Sequence, residues 1–167
     1  MSHQSIDCDV LIIGGGLVGT SLALALKQLP LRVVLVESHD VTAREQPGFD
    51  ARATALANGT RRILECLSLW EDIALRAEPI RQIHISERGR FGAARISAEA
   101  ERVAALGYTI ENRELGAALW RALGSVAGFR VLAPARFVAL DQRTNAVSAC
   151  IESAEGQFRV NARVLVA

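Results

Sequence analysis

The first apolar run of the chain, Val10-Leu-Ile-Ile13, follows Asp7 and Asp9 and ends in a glycine cluster, which predicts a buried strand over residues 7–13. Leu17 to Leu29 continues as an apolar helix with Gly19 and Ala23 one turn apart, a small-residue face suited to close contact with a sheet. Pro30 stops it, and the uninterrupted Val-Val-Leu-Val of residues 32–37 reads as a second strand covered on both faces, as in a parallel sheet. Ser38 to Ala51 is polar, contains Pro47 and Gly48, and reads as a loop. Leu56, Ile63, Leu64 and Leu67 suggest a helix over Arg52–Leu67, with a second helical piece over Leu69–Ala77.

Beyond Pro79 the pattern shortens. Ile80–Glu87 has strand character, Arg88-Gly89-Arg90 reads as a turn, and Arg95–Ala98 is a candidate partner strand. Gly107–Glu111 leads into a helix over Arg113–Leu123, bounded by Gly124 and Gly128. In the last third, Arg130–Leu132, Arg136–Leu140, Val147–Ile151 and Gln157–Val160 read as an antiparallel meander, and Arg163–Ala167 as one more buried strand. The elements predict an α/β chain, a Rossmann-like domain with a β-meander.

Composition narrows this picture only a little. With 167 residues, half of them hydrophobic, the chain has enough apolar surface for a sizeable core. A net charge of +1 argues against a nucleic-acid partner. Cys8, Cys66 and Cys150 are scattered, which suits reduced thiols in a cytoplasmic protein better than a metal site or a disulfide framework. Cys66 reads as a small core residue. The apolar stretch from Val10 to Leu26 follows acidic residues, contains four glycines and ends at Lys27, so it reads as a βα unit rather than a signal or membrane segment.

The candidate chemistry lies where the first strand meets the first helix. Gly14, Gly16 and Gly19 have the G-x-G-x-x-G spacing, between a strand and a helix. Gly14 permits the tight turn, Gly16 lets backbone approach a pyrophosphate, and Gly19 lets helix and strand pack closely. Leu17 and Val18 open the helix, whose first N–H groups and partial positive charge favour phosphate. Glu37 ends the second strand 21 residues after Gly16, where a carboxylate meets ribose hydroxyls and disfavours a 2′-phosphate, so NADP does not suit this pocket. A nicotinamide fold would continue β-α-β at once after Glu37. The long excursion seen here favours FAD, with NAD the alternative.

With those residues in place, Gly14-x-Gly16-x-x-Gly19-x-x-x-Ala23 and Glu37 resemble the single-component FAD-dependent aromatic hydroxylases. Gly48-Phe-Asp-Ala-Arg-Ala-Thr-Ala-Leu56, His84-Ile-Ser-Glu-Arg-Gly89 and Leu106-Gly-Tyr-Thr-Ile-Glu-Asn-Arg113 are similar to the ubiquinone-biosynthesis hydroxylases among them. The resemblance implies a flavoprotein monooxygenase with FAD as cofactor and NAD(P)H as co-substrate. Oxygen would pass from a C4a-hydroperoxyflavin to a polyprenyl methoxyphenol, and the cofactor would carry that chemistry, so no catalytic side chain and no metal are required. It further implies that residues 80–105 begin an inserted substrate domain, and that Ser38, Arg52 and Asn112 join Gly14, Gly16, Leu17, Val18, Gly19 and Glu37 in holding FAD. Peripheral contact with the inner membrane and association with other enzymes of the pathway are expected from the same likeness. That family continues with an Asp-Gly and later a Gly-Asp segment, so the expectation is a truncated N-terminal portion, lacking the C-terminal remainder and inactive alone.

Other readings follow from the same residues. An FAD-dependent oxidase or dehydrogenase would share the site without hydroxylating, and a non-catalytic dinucleotide-binding module would share the fold alone. Arg52 could equally be an exposed residue at a helix start, and Asn112 a helix cap. Arg113, beside Asn112, is a weaker candidate for the flavin side. His84 alternates with Ile83 and Ile85 and reads as solvent-facing, while Trp70 and Trp120 read as packing residues on helices.

Overall fold

The computed structural model describes residues 5–40, 51–89, 91–124, 129–143 and 146–167. Its elements, in chain order, begin with β1 (Ser5–Ile13), α1 (Leu17–Leu26), β2 (Val33–Val36), β3 (Ala53–Ala57), α2 (Asn58–Cys66) and α3 (Trp70–Ala74). There follow β4 (Glu78–Ile80), β5 (Gln82–Ser86), β6 (Ala93–Ser97), β7 (Gly107–Glu111) and α4 (Asn112–Leu123). The chain closes with β8 (Phe129–Leu132), β9 (Ala135–Arg143), β10 (Ala146–Ser153) and β11 (Gly156–Val166). It divides into two compact units, Met1–Asp50 with Gly116–Ala167, and Ala51–Leu115.

The first unit holds a six-stranded sheet in the order β8-β2-β1-β11-β10-β9. Strands β8, β2, β1 and β11 run parallel, whereas β11, β10 and β9 pair antiparallel. All four residues of β2 are buried, as its unbroken apolar run predicts for a strand covered on both faces. Helix α1 buries Thr20, Ala23 and Leu24. Leu11, Val34, Val36, Ala149, Ile151 and Val160 pack in the core cluster of this unit. Burying each larger side chain contributes about 1.5–3 kcal/mol.

The second unit contains a three-stranded sheet, β3-β7-β4, and the separate hairpin β5-β6. Strands β3 and β4 both pair antiparallel with β7. Leu56, Leu64, Leu69, Ile73 and Ile110 are its main buried apolar residues. Every residue of β5 is exposed.

The α/β class and the meander hold, with four local differences. Arg52–Leu67 is not one helix, because Ala53-Thr-Ala-Leu-Ala57 pairs with β7 and only then does α2 begin. Small residues have little strand preference of their own, so cross-strand pairing decides their state. The expected strand over Ile80–Glu87 divides at Arg81, its first part joining β7 and its second β6. Arg130–Leu132 lies in β8, which pairs parallel with β2 instead of joining the meander. Finally, Gln157–Val160 and all of Arg163–Ala167 but its last residue belong to one strand, β11, which pairs with β10 up to Ala162 and with β1 from Arg159 onward. Its end is not buried, since Val164 and Val166 are both exposed. Most of the loop expected over Ser38–Ala51, together with Arg90 and Gly128, lies outside the described residues. Among the described residues, no helix is long and apolar enough to cross a membrane.

Candidate functional site

The turn from β1 into α1 is built by its glycines. Gly14 has φ +103°, a left-handed conformation that side chains rarely adopt, and its N–H donates to Val36 O at 2.8 Å. Gly16 is the N-cap residue of α1, and no side chain caps this helix end. Its carbonyl accepts the N–H of Thr20 at 3.0 Å and the Thr20 hydroxyl at 2.6 Å. Among the described residues, a Cβ on Gly16 would meet no atom beyond its chain neighbours and its own helix within 4 Å, so the backbone here faces open space. Gly19 is the opposite case: a Cβ there would lie 1.9 Å from Gly14 O. Its close approach is to the turn itself, with Ile12 of β1 farther off at 3.4 Å.

Leu17 and Val18 open α1, and Val18 is 84% exposed. The first turn has no acidic residue to occupy the positive end of the helix dipole. Its leading N–H groups have no intrahelical acceptors, as in any α-helix. The open backbone at Gly16, the exposed Val18 and a first turn with no acid of its own together suit an anion.

Glu37 closes the other side of this turn. It is only 8% exposed, although a carboxylate is among the groups least often buried. Its Oε2 accepts the Gly15 N–H at 2.6 Å, and its Oε1 accepts the His39 N–H at 2.8 Å and the Ser38 hydroxyl at 3.1 Å. The His39 ring lies beside it, Nδ1 at 2.9 Å from Oε1. Burial raises the Glu37 pKa, but the bonds from His39, Gly15 and Ser38 outweigh it and hold the carboxyl below its ordinary value. The backbone of Glu37 is equally engaged, its N–H with Leu132 O and its carbonyl with the Ala135 N–H.

The first unit thus brings together Gly14, Gly16, Leu17, Val18, Gly19, Glu37 and the exposed Ser38. Arg52 and Asn112 belong to the second unit, where the Asn112 N–H donates to Arg52 O at 2.9 Å. Arg52 is exposed in the extended residues before β3, not at a helix start as its sequence context suggests. The Asn112 side chain accepts the Thr54 hydroxyl, and Arg113 pairs with the Glu111 carboxylate.

Gly15, Trp120 and His39 each have a part in holding this turn that the sequence does not show. Gly15 is constrained as well, less tightly than Gly19 and by side chains: a Cβ on it would lie 2.5 Å from Trp120 Cζ2 and 3.0 Å from Glu37 Cβ. Trp120 does more than pack: its indole N–H donates to Gly15 O at 3.0 Å, across 105 residues of chain. No local pattern announces such a contact, although a half-buried indole N–H generally finds an acceptor. His39 holds Glu37 from two positions away, within a stretch that reads only as polar loop.

The remaining candidates lie elsewhere. His84 is exposed and accepts from Arg95 Nε at 3.2 Å, and Trp70 packs edge to face on Tyr108 with ring centroids 4.7 Å apart. Cys66 is exposed and not a core residue, since it ends α2 two positions from the buried Leu64 and so falls on another side of the helix. The buried Cys8 thiol is pushed up to about 11 by burial, which leaves it unreactive at neutral pH.

Comparison with known proteins bears on the family of the chain. A ubiquinone hydroxylase of Rhodospirillum rubrum, UbiL, is 37% identical over 158 residues, covering 95% of this chain and 36% of that protein. The 3-demethoxyubiquinol 3-hydroxylase of Escherichia coli is 32% identical over 136 residues, covering 79% of this chain and 34% of its own. The chain therefore spans about a third of the length of these curated relatives. Among solved structures, the p-nitrophenol 4-monooxygenase PnpA of Pseudomonas putida superposes with a TM-score of 0.78 at 20% identity, over 97% of this chain and 40% of that one. The flavin-dependent monooxygenase PieE, solved with FAD and substrate, gives 0.77 at 23% identity, over 96% and 30%. At these identities the structural likeness speaks for the fold. Residues 7–167 match the family described as FAD binding domain, and the chain belongs to that family.

Proposed function

We propose that this chain is the FAD-binding portion of an FAD- and NAD(P)H-dependent aromatic hydroxylase of ubiquinone biosynthesis, acting on a polyprenyl methoxyphenol. The observation that carries the reading is the open backbone at Gly16, beside an uncapped helix start and a buried carboxylate at the end of β2. In this reading Gly14, Gly16, Leu17, Val18 and Gly19 hold the pyrophosphate. Glu37 and Ser38 serve the ribose: Ser38 and His39 are exposed and can yield Glu37 Oε1 to a hydroxyl. Arg52 supplies a guanidinium for phosphate, and Asn112 lies on the flavin side. When bound, FAD takes electrons from NAD(P)H and activates O2 for transfer to an electron-rich phenol ring. The protein's residues bind and orient the cofactor and keep water from it. Residues 80–105 begin the substrate domain in this account, and a polyprenyl substrate brings the full-length protein to the membrane surface.

The relatives named as ubiquinone hydroxylases support the substrate class. The test is NADH or NADPH oxidation by the full-length protein with and without a polyprenyl methoxyphenol, with the products identified by mass. Substrate-stimulated oxidation with one added oxygen is expected. Flavin reduction that yields only hydrogen peroxide, whatever phenol is supplied, would contradict hydroxylation.

Gly16→Leu separates binding from folding. The backbone there, φ −68° and ψ −173°, is open to any residue, and among the described residues the new side chain meets no atom close to its Cβ beyond its own helix and chain neighbours. Loss of a glycine N-cap costs about 1 kcal/mol at most. FAD affinity is expected to fall on the order of a hundredfold as two or so charge-assisted hydrogen bonds are lost. Near-wild-type FAD titration would show that the pyrophosphate lies elsewhere.

A further inference from the structure

We propose that Trp120 is a positioning residue for the phosphate-binding turn: its indole N–H, bonded to Gly15 O, fixes the orientation of the Gly15–Gly16 peptide and thereby of the Gly16 N–H. The inference rests on the flavin reading above and assigns a role to a residue 105 positions away from the turn in sequence.

A trans peptide holds its C=O and N–H antiparallel. A donor that captures the Gly15 carbonyl therefore also sets the direction of the Gly16 N–H, which points away from the indole. The preceding peptide is fixed as well, because its Gly15 N–H is held by Glu37 Oε2 at 2.6 Å. Gly15 is thus gripped on one side by the end of β2 and on the other by α4. Glycine on its own offers no such fixity, having the most backbone freedom of any residue. A bond to the carbonyl also polarises its peptide and strengthens the N–H as a donor to an anion.

Packing alone does not account for this contact. A leucine or phenylalanine could fill the same half-buried space without a polar atom. The indole sits so close that a Cβ on Gly15 would lie 2.5 Å from Cζ2, so the ring and the missing side chain are fitted to one another. The chain's other tryptophan, Trp70, packs on Tyr108 through its ring.

The experiment uses the full-length protein and FAD titration of Trp120→Phe, Gly15→Ala and the double variant. Trp120→Phe keeps an aromatic ring but removes the donor, and should weaken FAD about three- to tenfold, the range that one neutral hydrogen bond carries. Gly15→Ala should weaken it further by displacing the indole. The double variant should bind more tightly than Gly15→Ala alone, because the smaller phenylalanine leaves room for the new methyl. A tryptophan that only packs would leave FAD affinity in Trp120→Phe at the wild-type value, since phenylalanine keeps a ring in the same space and loses only the donor.

A second measurement needs no substitution at position 120. If the indole bond favours FAD, FAD must favour the indole bond equally, so hydrogen exchange of the Trp120 indole N–H should slow when FAD is added. Wild-type FAD affinity in Trp120→Phe, simple additivity in the double variant, or an exchange rate indifferent to FAD would each overturn this inference while the flavin reading stands. A wild-type protein that binds no FAD would overturn both.

Discussion

Gly19→Ala is expected to give a less stable full-length protein that no longer retains FAD. The added methyl would lie 1.9 Å from Gly14 O, a backbone atom, and 3.4 Å from Ile12 Cγ2. Relief requires about an ångström of movement between α1 and the turn, in a region where Gly14 already has φ +103°. Overpacking of this kind costs about 1–3 kcal/mol of stability. Displacing the turn also carries the first N–H groups of α1 out of register with the phosphates, on the order of a hundredfold in affinity if one or two charge-assisted bonds are lost. Thermal unfolding of the apoprotein and FAD titration read the two effects separately. A variant that unfolds and binds like wild type would mean that the turn accommodates the methyl, and that close packing at Gly19 has no functional weight.

Glu37→Ala is the second large effect, and it has two sources. The carboxylate accepts bonds from the backbone N–H groups of Gly15 and His39, and its loss leaves the buried Gly15 N–H without this acceptor, which costs about 1–3 kcal/mol. In the functional reading it also removes the acceptor for the ribose, so affinity should fall by about tenfold to a hundredfold. The pH dependence distinguishes a native-state carboxylate bond from mere packing. Because the folded-state pKa of Glu37 is depressed, its contribution is fully present above the ordinary value of 4.5 and fades as pH falls through the lower folded value. Wild type should therefore lose stability on acidification below about pH 4.5 more steeply than Glu37→Ala, as follows from that linkage. Parallel acid unfolding curves would show that the carboxylate bonds contribute nothing net.

The glycine turn was legible because its signal is local: three glycines, the strand before them and the helix after them lie within about twenty residues. Glu37 was legible for the same reason, as the end of a strand at a known offset. What holds Glu37 and Gly15 in place was not legible. Trp120 reaches Gly15 from the far side of the excursion, and nothing in Leu119-Trp120-Arg121 distinguishes an indole that packs from one that donates to a loop. The errors in the fold have a related cause. Ala53–Ala57 carries no strong preference, and its strand exists because β7 is there to pair with it. Likewise β8 looked like the first strand of the meander because a short apolar run does not reveal its partner, which is β2. The flavin family was legible from motifs spread along the chain, and it accounted for the excursion between β2 and β8 that periodicity alone could only describe.

The central claim is that the turn at Gly14–Gly19 and the carboxylate of Glu37 hold FAD. Its most direct measurement is stoichiometric FAD titration of the purified full-length protein, wild type beside Gly16→Leu, with folding of both verified by thermal unfolding. The account predicts one FAD per wild-type chain and a loss on the order of a hundredfold in the folded variant. Equal FAD affinity in the two, or no uptake of FAD by the folded wild type, would contradict it.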